Sequence, residues 1–365
     1  MVFESYYGEF LHRDWQETTE GGPVRFAVVG MGSFARRRAI PALVEADLCE
    51  PTVVAGWTAD HAQPVAEEFE IETAIGYDEF HDGVAADEYD AVYVATPNAT
   101  HLEYGERAAR LGKHVLCEKP LEATVDRARR LVDVCADEDV VLMTGYRMQA
   151  EPVVRRMRDL VADGFIGDPV QVHGKFSNPL RADPAHKPWR LDPDLAGGGA
   201  LMDLGIYPLN TARFILGTDP ISVFGSTETQ HEAFDAVDEH VSFQLRFPND
   251  VSASCTASFN AYPSSRLAIS GTDGEIIVRS PFGGVVPHEI IAEREDMLTK
   301  YTGPPVDEVV EEFEYFAHCL LTDSTPGPDG RDGVVDLIAI EAIYESEETD
   351  CAVDLTGRLH SEGQE

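Results

Sequence analysis

The chain has 365 residues, 43% of them apolar, which is enough for real cores and favours two domains over one. Against 28 basic residues stand 66 acidic ones, for a net charge of -38 and a pI near 4.5. Such a surface repels phosphate backbones and anionic lipid, which excludes nucleic acid and membrane surfaces as partners.

Lysine is scarce: only Lys113, Lys119, Lys175, Lys187 and Lys300 occur, and arginine supplies the other cations. In molar salt the Debye length falls to about 3 Å, so acidic crowding is screened there and repulsive in dilute buffer. The composition therefore predicts a protein from a salt-loving organism. Six cysteines lie far apart with no CxxC pair and no Cys/His cluster at metal spacing. They read as small buried hydrophobes in a reducing compartment, with no metal site. No run reaches the ~18 apolar residues of a membrane helix, and the expected location is the cytoplasm.

Residues 1–22 form an arm with five aromatics, Phe3, Tyr6, Tyr7, Phe10 and Trp15, too many for a solvated tail. The arm is expected to pack on the body or on a neighbouring subunit. From Pro23, strand and helix alternate: VRFAVVG and PTVVAGW flank the helical GSFARRRAIPALVEA. DAVYVATP, KHVLCEKP and VVLMTGYR then alternate with two further helical segments. This order predicts βαβ units and a doubly wound parallel sheet over residues 23–147. After residue 168 the texture changes to apolar/polar alternation, in DPVQVHGKFS, EHVSFQLRF, VSASCTASFN and SRLAISGTDGEIIVRS. That pattern predicts a second α+β domain over 148–350 with a large, mainly antiparallel sheet, one face packed and one open. A helix follows Gly199, a last helix covers VDLIAIEAIYESEE, and residues 351–365 read as a tail that returns to the first domain.

The first strand ends in GMGSFA, residues 30–35, and opens a helix. Gly30 and Gly32 suit a tight turn and close approach of a pyrophosphate, Ser33 and Phe34 enter the helix, and Ala35 is the third small residue of a dinucleotide fingerprint. An acid ending the second strand would hold the ribose hydroxyl of NAD, but Thr58 stands there. Arg37 and Arg38 follow the loop with Arg36 and suit a 2'-phosphate, so NADP is favoured, with Asp60 keeping NAD open. In GGGALMDLGIY, residues 197–207, Asp203 and Tyr207 are four apart and share one helix face. The three glycines are expected to let that helix start close to cofactor and substrate.

TPNATH (96–101), CEKP (117–120), PWR (188–190) and GGGALMDLGIY occur in this order. Together they resemble the glucose-fructose oxidoreductase, inositol dehydrogenase and rhizopine catabolism family, over nearly the whole chain from Val24. The tyrosine at 207 is similar to the branch holding the NADP-dependent xylose dehydrogenases and glucose-fructose oxidoreductase. The resemblance implies Lys119, Tyr207 and Asp203 as catalytic residues, with a cis bond before Pro120. It implies Thr96, Pro97, Asn98, His101, Glu118, Lys119 and Arg147 as cofactor contacts, with Trp189 and Arg190 closing over the cofactor. The implied activity is oxidation of an aldose, D-xylose first, at C1 to the lactone, by a homodimer or homotetramer formed through the second domain's sheet. A glucose-fructose oxidoreductase that never releases NADP and a non-catalytic sugar or NADP sensor are the alternatives.

Overall fold

The computed structural model describes residues 10, 13, 15, 19, 21–180 and 189–359. The chain divides into two compact units, one of residues 14–147 and 307–334, the other of residues 1–13, 148–306 and 335–365.

In the first unit, β1 (Val24–Val29) leads through a π-type turn (Ala35–Ala39) into α1 (Ile40–Glu45). Then come β2 (Cys49–Gly56), α2 (Ala59–Glu68), β3 (Thr73–Gly76), α3 (Tyr77–Asp82) and β4 (Ala91–Val94). α4 (His101–Arg110), β5 (His114–Glu118), α5 (Val125–Asp137) and β6 (Leu142–Gly145) complete the sheet. All pairs are parallel in the order β3-β2-β1-β4-β5-β6. β4 is buried at every position, and β1 at every position but Arg25, as central strands of a sheet covered on both faces are. The order reverses between β1 and β4, and the strands' carboxyl ends there form the crevice where doubly wound folds bind ligands.

α6 (Arg147–Ala150) starts at the last residue of the first unit's main segment, and α7 (Pro152–Ala162), β7 (Pro169–Ser177) and α8 (Pro193–Ala196) follow in the second unit. A second π-type turn (Leu201–Gly205) opens α9 (Ile206–Leu216). β8 (Ser222–Glu228), β9 (His240–Arg246), β10 (Ser252–Ser258), β11 (Ser264–Gly271), β12 (Gly274–Arg279), β13 (Glu289–Arg294) and β14 (Met297–Thr302) follow. They form a sheet ordered β14-β13-β12-β11-β7-β10-β9-β8 in which only β7 and β10 pair in parallel. On β9 the alternation is strict: Val241, Phe243 and Leu245 are buried while Ser242, Gln244 and Arg246 are exposed. α9 seats on the packed face through Gly174, where a Cβ would lie 2.5 Å from the Pro208 ring. Each π-type turn stands two or three residues before a proline, Pro41 or Pro208, whose missing N–H and bulky ring disturb the regular ladder.

Two boundaries differ from the sequence expectation. α10 (Glu308–Leu321) belongs to the first unit, because Phe313 stacks edge-on against Phe26 (5.5 Å) and Tyr93 (5.0 Å), completing that core. α11 (Gly330–Thr349) then carries the chain back, and β15 (Val353–Asp354) pairs with β8 at the edge of the second sheet, ahead of α12 (Thr356–Leu359). The tail thus closes on the second unit, where Val353 continues the buried row of Val223.

From the aromatic arm, Phe10 stacks on Tyr301 at 4.6 Å, and Trp15 is buried against Tyr315 at 5.2 Å. Phe3, Tyr6 and Tyr7 lie outside the described residues. Five cysteines are buried, Cys351 is exposed, and no disulfide joins any two of them. No described helix is long and apolar enough to cross a membrane, and no metal-ligand cluster occurs among the described residues.

Candidate active site

The glycine loop fits a dinucleotide. Gly30 has φ +111°, and a Cβ there would lie 2.7 Å from the Ala95 carbonyl carbon, so the turn excludes any side chain. At exposed Gly32 an added Cβ would meet nothing within 4 Å: the bare backbone faces open space beside exposed Ser33 and half-buried Phe34. That opening, at the start of a helix, is the cradle a pyrophosphate needs. Ala35 is small for a packing reason, being buried under the helix.

The arginines behind the loop separate. Arg38, expected at the 2'-phosphate, pairs with Asp307 (3.1 Å) and Glu308 (3.6 Å) at the start of α10. Arg37 is exposed and makes no ion pair among the described residues, while Arg36 approaches Glu68 at 3.9 Å. Thr58 is exposed at the end of β2 and caps α2, its hydroxyl accepting from the His61 N–H at 3.2 Å.

Across the crevice, the loops after β4 and β5 carry the TPNATH and EKP motifs. The Lys119–Pro120 bond is cis. Lys119 is half-buried, and the Glu118 carboxylate beside it accepts from the Tyr93 hydroxyl at 2.6 Å. Thr96 and Asn98 are largely buried and Pro97 half-buried, with the Thr100 hydroxyl donating to Thr96 Oγ1 at 2.9 Å.

His101, expected among the cofactor contacts, is 0% exposed. One ring nitrogen lies 2.9 Å from the Thr96 carbonyl oxygen and the other 3.1 Å from that of Pro120. A neutral ring has one N–H, so His101 donates to one of these two carbonyls and ties that loop from behind. Burial pushes its pKa down, opposed by Glu122 and the facing Thr96 carbonyl.

Below Lys119 lies a buried acidic set the sequence did not announce. Arg147 approaches Glu308 at 3.5 Å. Glu312 is buried with one carboxylate oxygen lacking a hydrogen bond among the described residues. Burial pushes the Glu312 carboxyl well above its ordinary range, Glu118 adds to the rise, and Arg147 and Lys119 oppose it. Burial likewise holds the Tyr93 phenol far above its usual value.

In the second unit, Tyr207 is half-buried between two rings, edge-on to Phe176 at 5.1 Å and tilted against Phe282 at 5.7 Å. Asp203 accepts from Arg190 at 3.0 Å, and the guanidinium lies over the Trp189 ring at 4.4 Å, so three expected site residues are joined. Pro188 of the PWR motif lies outside the described residues.

The glycine run answers to packing within the chain. Gly197 ends α8 in the left-handed conformation (φ 77°). A Cβ on Gly198 would sit 3.0 Å from Tyr344 Cζ and nearer its hydroxyl; one on Gly199 would sit 2.7 Å from the Asp238 amide nitrogen and nearer its carbonyl oxygen. The Asp238 carboxylate accepts from the N–H groups of Gly199 and Leu201 and from the Tyr344 hydroxyl, each at 2.7 Å. The glycines thus let the helix that presents Asp203 and Tyr207 dock on an internal acidic cap. Nothing local in the sequence links residue 199 to 238 or 344.

A doubly wound sheet with an open glycine cradle at its switch point defines a dinucleotide-binding protein. A family model described as an oxidoreductase family with an NAD-binding Rossmann fold matches residues 24–146, and one for the GFO/IDH/MocA C-terminal domain matches residues 154–277; the chain belongs to this oxidoreductase family. It is 48% identical over 359 residues to D-xylose 1-dehydrogenase (NADP(+)) of Haloarcula marismortui, covering 97% of this chain and 100% of that one. It is 33% identical to D-xylose 1-dehydrogenase (NADP(+)) 2 of Haloferax volcanii, over 90% of this chain and 99% of that one. Among solved structures, the aldose-aldose oxidoreductase from Caulobacter crescentus complexed with glycerol superposes with a TM-score of 0.85 at 30% identity, covering 91% of this chain and 99% of that one. A 3-ketoreductase from Actinomadura kijaniata in complex with NADP and TDP-benzene gives 0.80 at 28% identity, over 89% and 98% of the two chains.

Proposed function

We propose that the protein is an NADP-dependent aldose 1-dehydrogenase that oxidises D-xylose, before other aldoses, at C1 to the lactone. The observation that carries this reading is the 48% identity, over nearly the full length of both chains, to a relative named for that activity. The open cradle at Gly32, the neutral Thr58 where NAD enzymes place an acid, and the exposed Arg37 support NADP.

Bound in the crevice, the cofactor supplies the acceptor for the hydride that leaves C1. Tyr207 takes the proton from the C1 hydroxyl, so the sugar loses one hydride and one proton and becomes the lactone. A free phenol titrates near pH 10 and is a sluggish base at neutral pH. The family resemblance assigns Lys119 to the same chemistry, for an ammonium would favour a phenolate and hold a developing oxyanion. Phe176 and Phe282 restrict the Tyr207 ring, and Asp203, steadied by Arg190, orients a sugar hydroxyl. Thr96, Pro97, Asn98, Glu118 and Arg147 line or support the cofactor's wall, and Trp189 and Arg190 cover it.

A homodimer or homotetramer through the second unit's open sheet face and a cytoplasmic location complete the reading. That face presents Ser242, Gln244, Ser254, Thr256, His173 and Lys175 on three central strands. Its lack of carboxylates there, in a chain with 66 acidic residues, lets a second copy approach without like-charge repulsion.

The test is NADPH formation in molar KCl with a panel of pentoses and hexoses, for the wild type and Tyr207→Phe. Turnover on D-xylose that falls by roughly 100-fold or more in the variant is expected. Wild-type protein that binds NADP yet oxidises no aldose refutes the reading.

A further inference from the structure

Trp57 stands one residue beyond β2, and 77% of its surface is exposed. An indole is among the largest sources of burial energy a chain has, and on a surface this acidic an uncovered one marks a place where something docks.

Its neighbours say what. β2 runs parallel to β1 with Ala55 opposite Val29, and the Gly30 N–H donates to the Ala55 carbonyl at 3.1 Å, so the end of β2 lies directly beside the glycine loop. β4 and β5, which lead to Thr96 and Lys119, lie on the other side of β1. A dinucleotide with its pyrophosphate on the Gly32 cradle and its nicotinamide toward Lys119 lays its adenosine over the ends of β2 and β3. There the Trp57 ring lies 5.5 Å from that of Tyr77, the first residue of α3, and a Cβ on Gly56, the residue before Trp57, would lie 3.3 Å from Met31 Cγ of the glycine loop. Met31, Trp57 and Tyr77 form an apolar lip continuous with the cradle.

We propose that Trp57 is the stacking platform for the adenine base of NADP, so that this chain grips the base through a π-face. The inference rests on the NADP reading above. It also suits the composition: an Arg37–phosphate attraction is screened within about 3 Å in molar salt, whereas an indole–purine stack carries no net charge to screen.

The experiment is calorimetric titration of wild type, Trp57→Phe and Trp57→Ala in molar KCl with NADPH and with adenosine 2',5'-bisphosphate, which lacks the nicotinamide half. Trp57→Ala is expected to weaken both ligands by about tenfold, and Trp57→Phe, which keeps a ring, by about threefold or less. The bisphosphate should quench tryptophan emission in the wild type and lose that quench in Trp57→Phe. The alanine penalty should persist as KCl is raised while that of Arg37→Ala shrinks. Trp57→Ala binding both ligands as tightly as wild type overturns the assignment. If the wild type binds NADH and 5'-ADP but neither NADPH nor the bisphosphate, the NADP reading fails, and the same variants titrated with 5'-ADP still decide the role of Trp57.

Discussion

Gly199→Ala isolates the reason for the glycine run. The added methyl would lie 2.7 Å from the Asp238 amide nitrogen and 2.8 Å from its Oδ1, with the carbonyl oxygen nearer still. Ordinary contact begins near 3.4 Å, and the clashing atoms are mostly backbone, so no rotamer change relieves them. The helix start must retreat by most of an ångström, which strains the bonds from the Gly199 and Leu201 N–H groups to the carboxylate and from Ala200 N–H to the Asp238 carbonyl at 2.9 Å. Overpacking plus weakened charge-assisted bonds should cost about 3–4 kcal/mol. For a unit of this size that is roughly a 10 °C fall in Tm. Thermal unfolding by circular dichroism in molar KCl measures it, with Gly357→Ala as control, because a methyl there meets nothing within 4 Å. NADP binding, which the reading assigns to the other unit, should survive at low temperature. A Gly199→Ala protein that melts within about 1 °C of wild type would refute the packing argument and return the glycines to a ligand-facing role.

Gly32→Val should behave oppositely: its side chain enters open space, so Tm holds while NADPH affinity falls by roughly tenfold or more, and unchanged affinity in a titration would remove the cradle. Glu312 has its folded pKa raised above the ordinary 4.5, so its stabilising contribution is present below that pH and is lost as pH rises toward the folded value. Glu312→Gln should therefore match wild type in Tm near pH 4.5 and gain on it progressively toward pH 8; a gap that stays flat or narrows across melts contradicts this. With a net charge of -38, the protein should melt well below its molar-KCl Tm in dilute buffer, and coincident melts would dismiss the salt requirement. Light scattering in molar KCl should give a multiple of the 40.1 kDa chain mass, and a single-chain mass would dismiss pairing through the open sheet face.

Much of the molecule is legible in the sequence because its signals are local. Continuous apolar runs between helical segments specify a parallel sheet, strict alternation after residue 168 specifies a sheet with one wet face, and glycines at 30 and 32 mark the cradle. EKP and the Asp203–Tyr207 helix are equally visible, since each is a few residues at fixed spacing. What only the tertiary structure decided involves partners far apart in the chain. His101 faces backbone carbonyls on two loops, and Arg38 meets Asp307, 269 residues away. α10 is unassigned from the sequence alone, and the core it completes is settled by Phe26 and Tyr93, which pack against its phenylalanines. Trp57 looks like any strand-end aromatic until its exposure is seen. Periodicity and turn chemistry act through neighbouring residues and can be read along the chain, whereas the burial of a charge, the fate of a cation and the reason for a bare glycine are set by whatever the fold brings alongside.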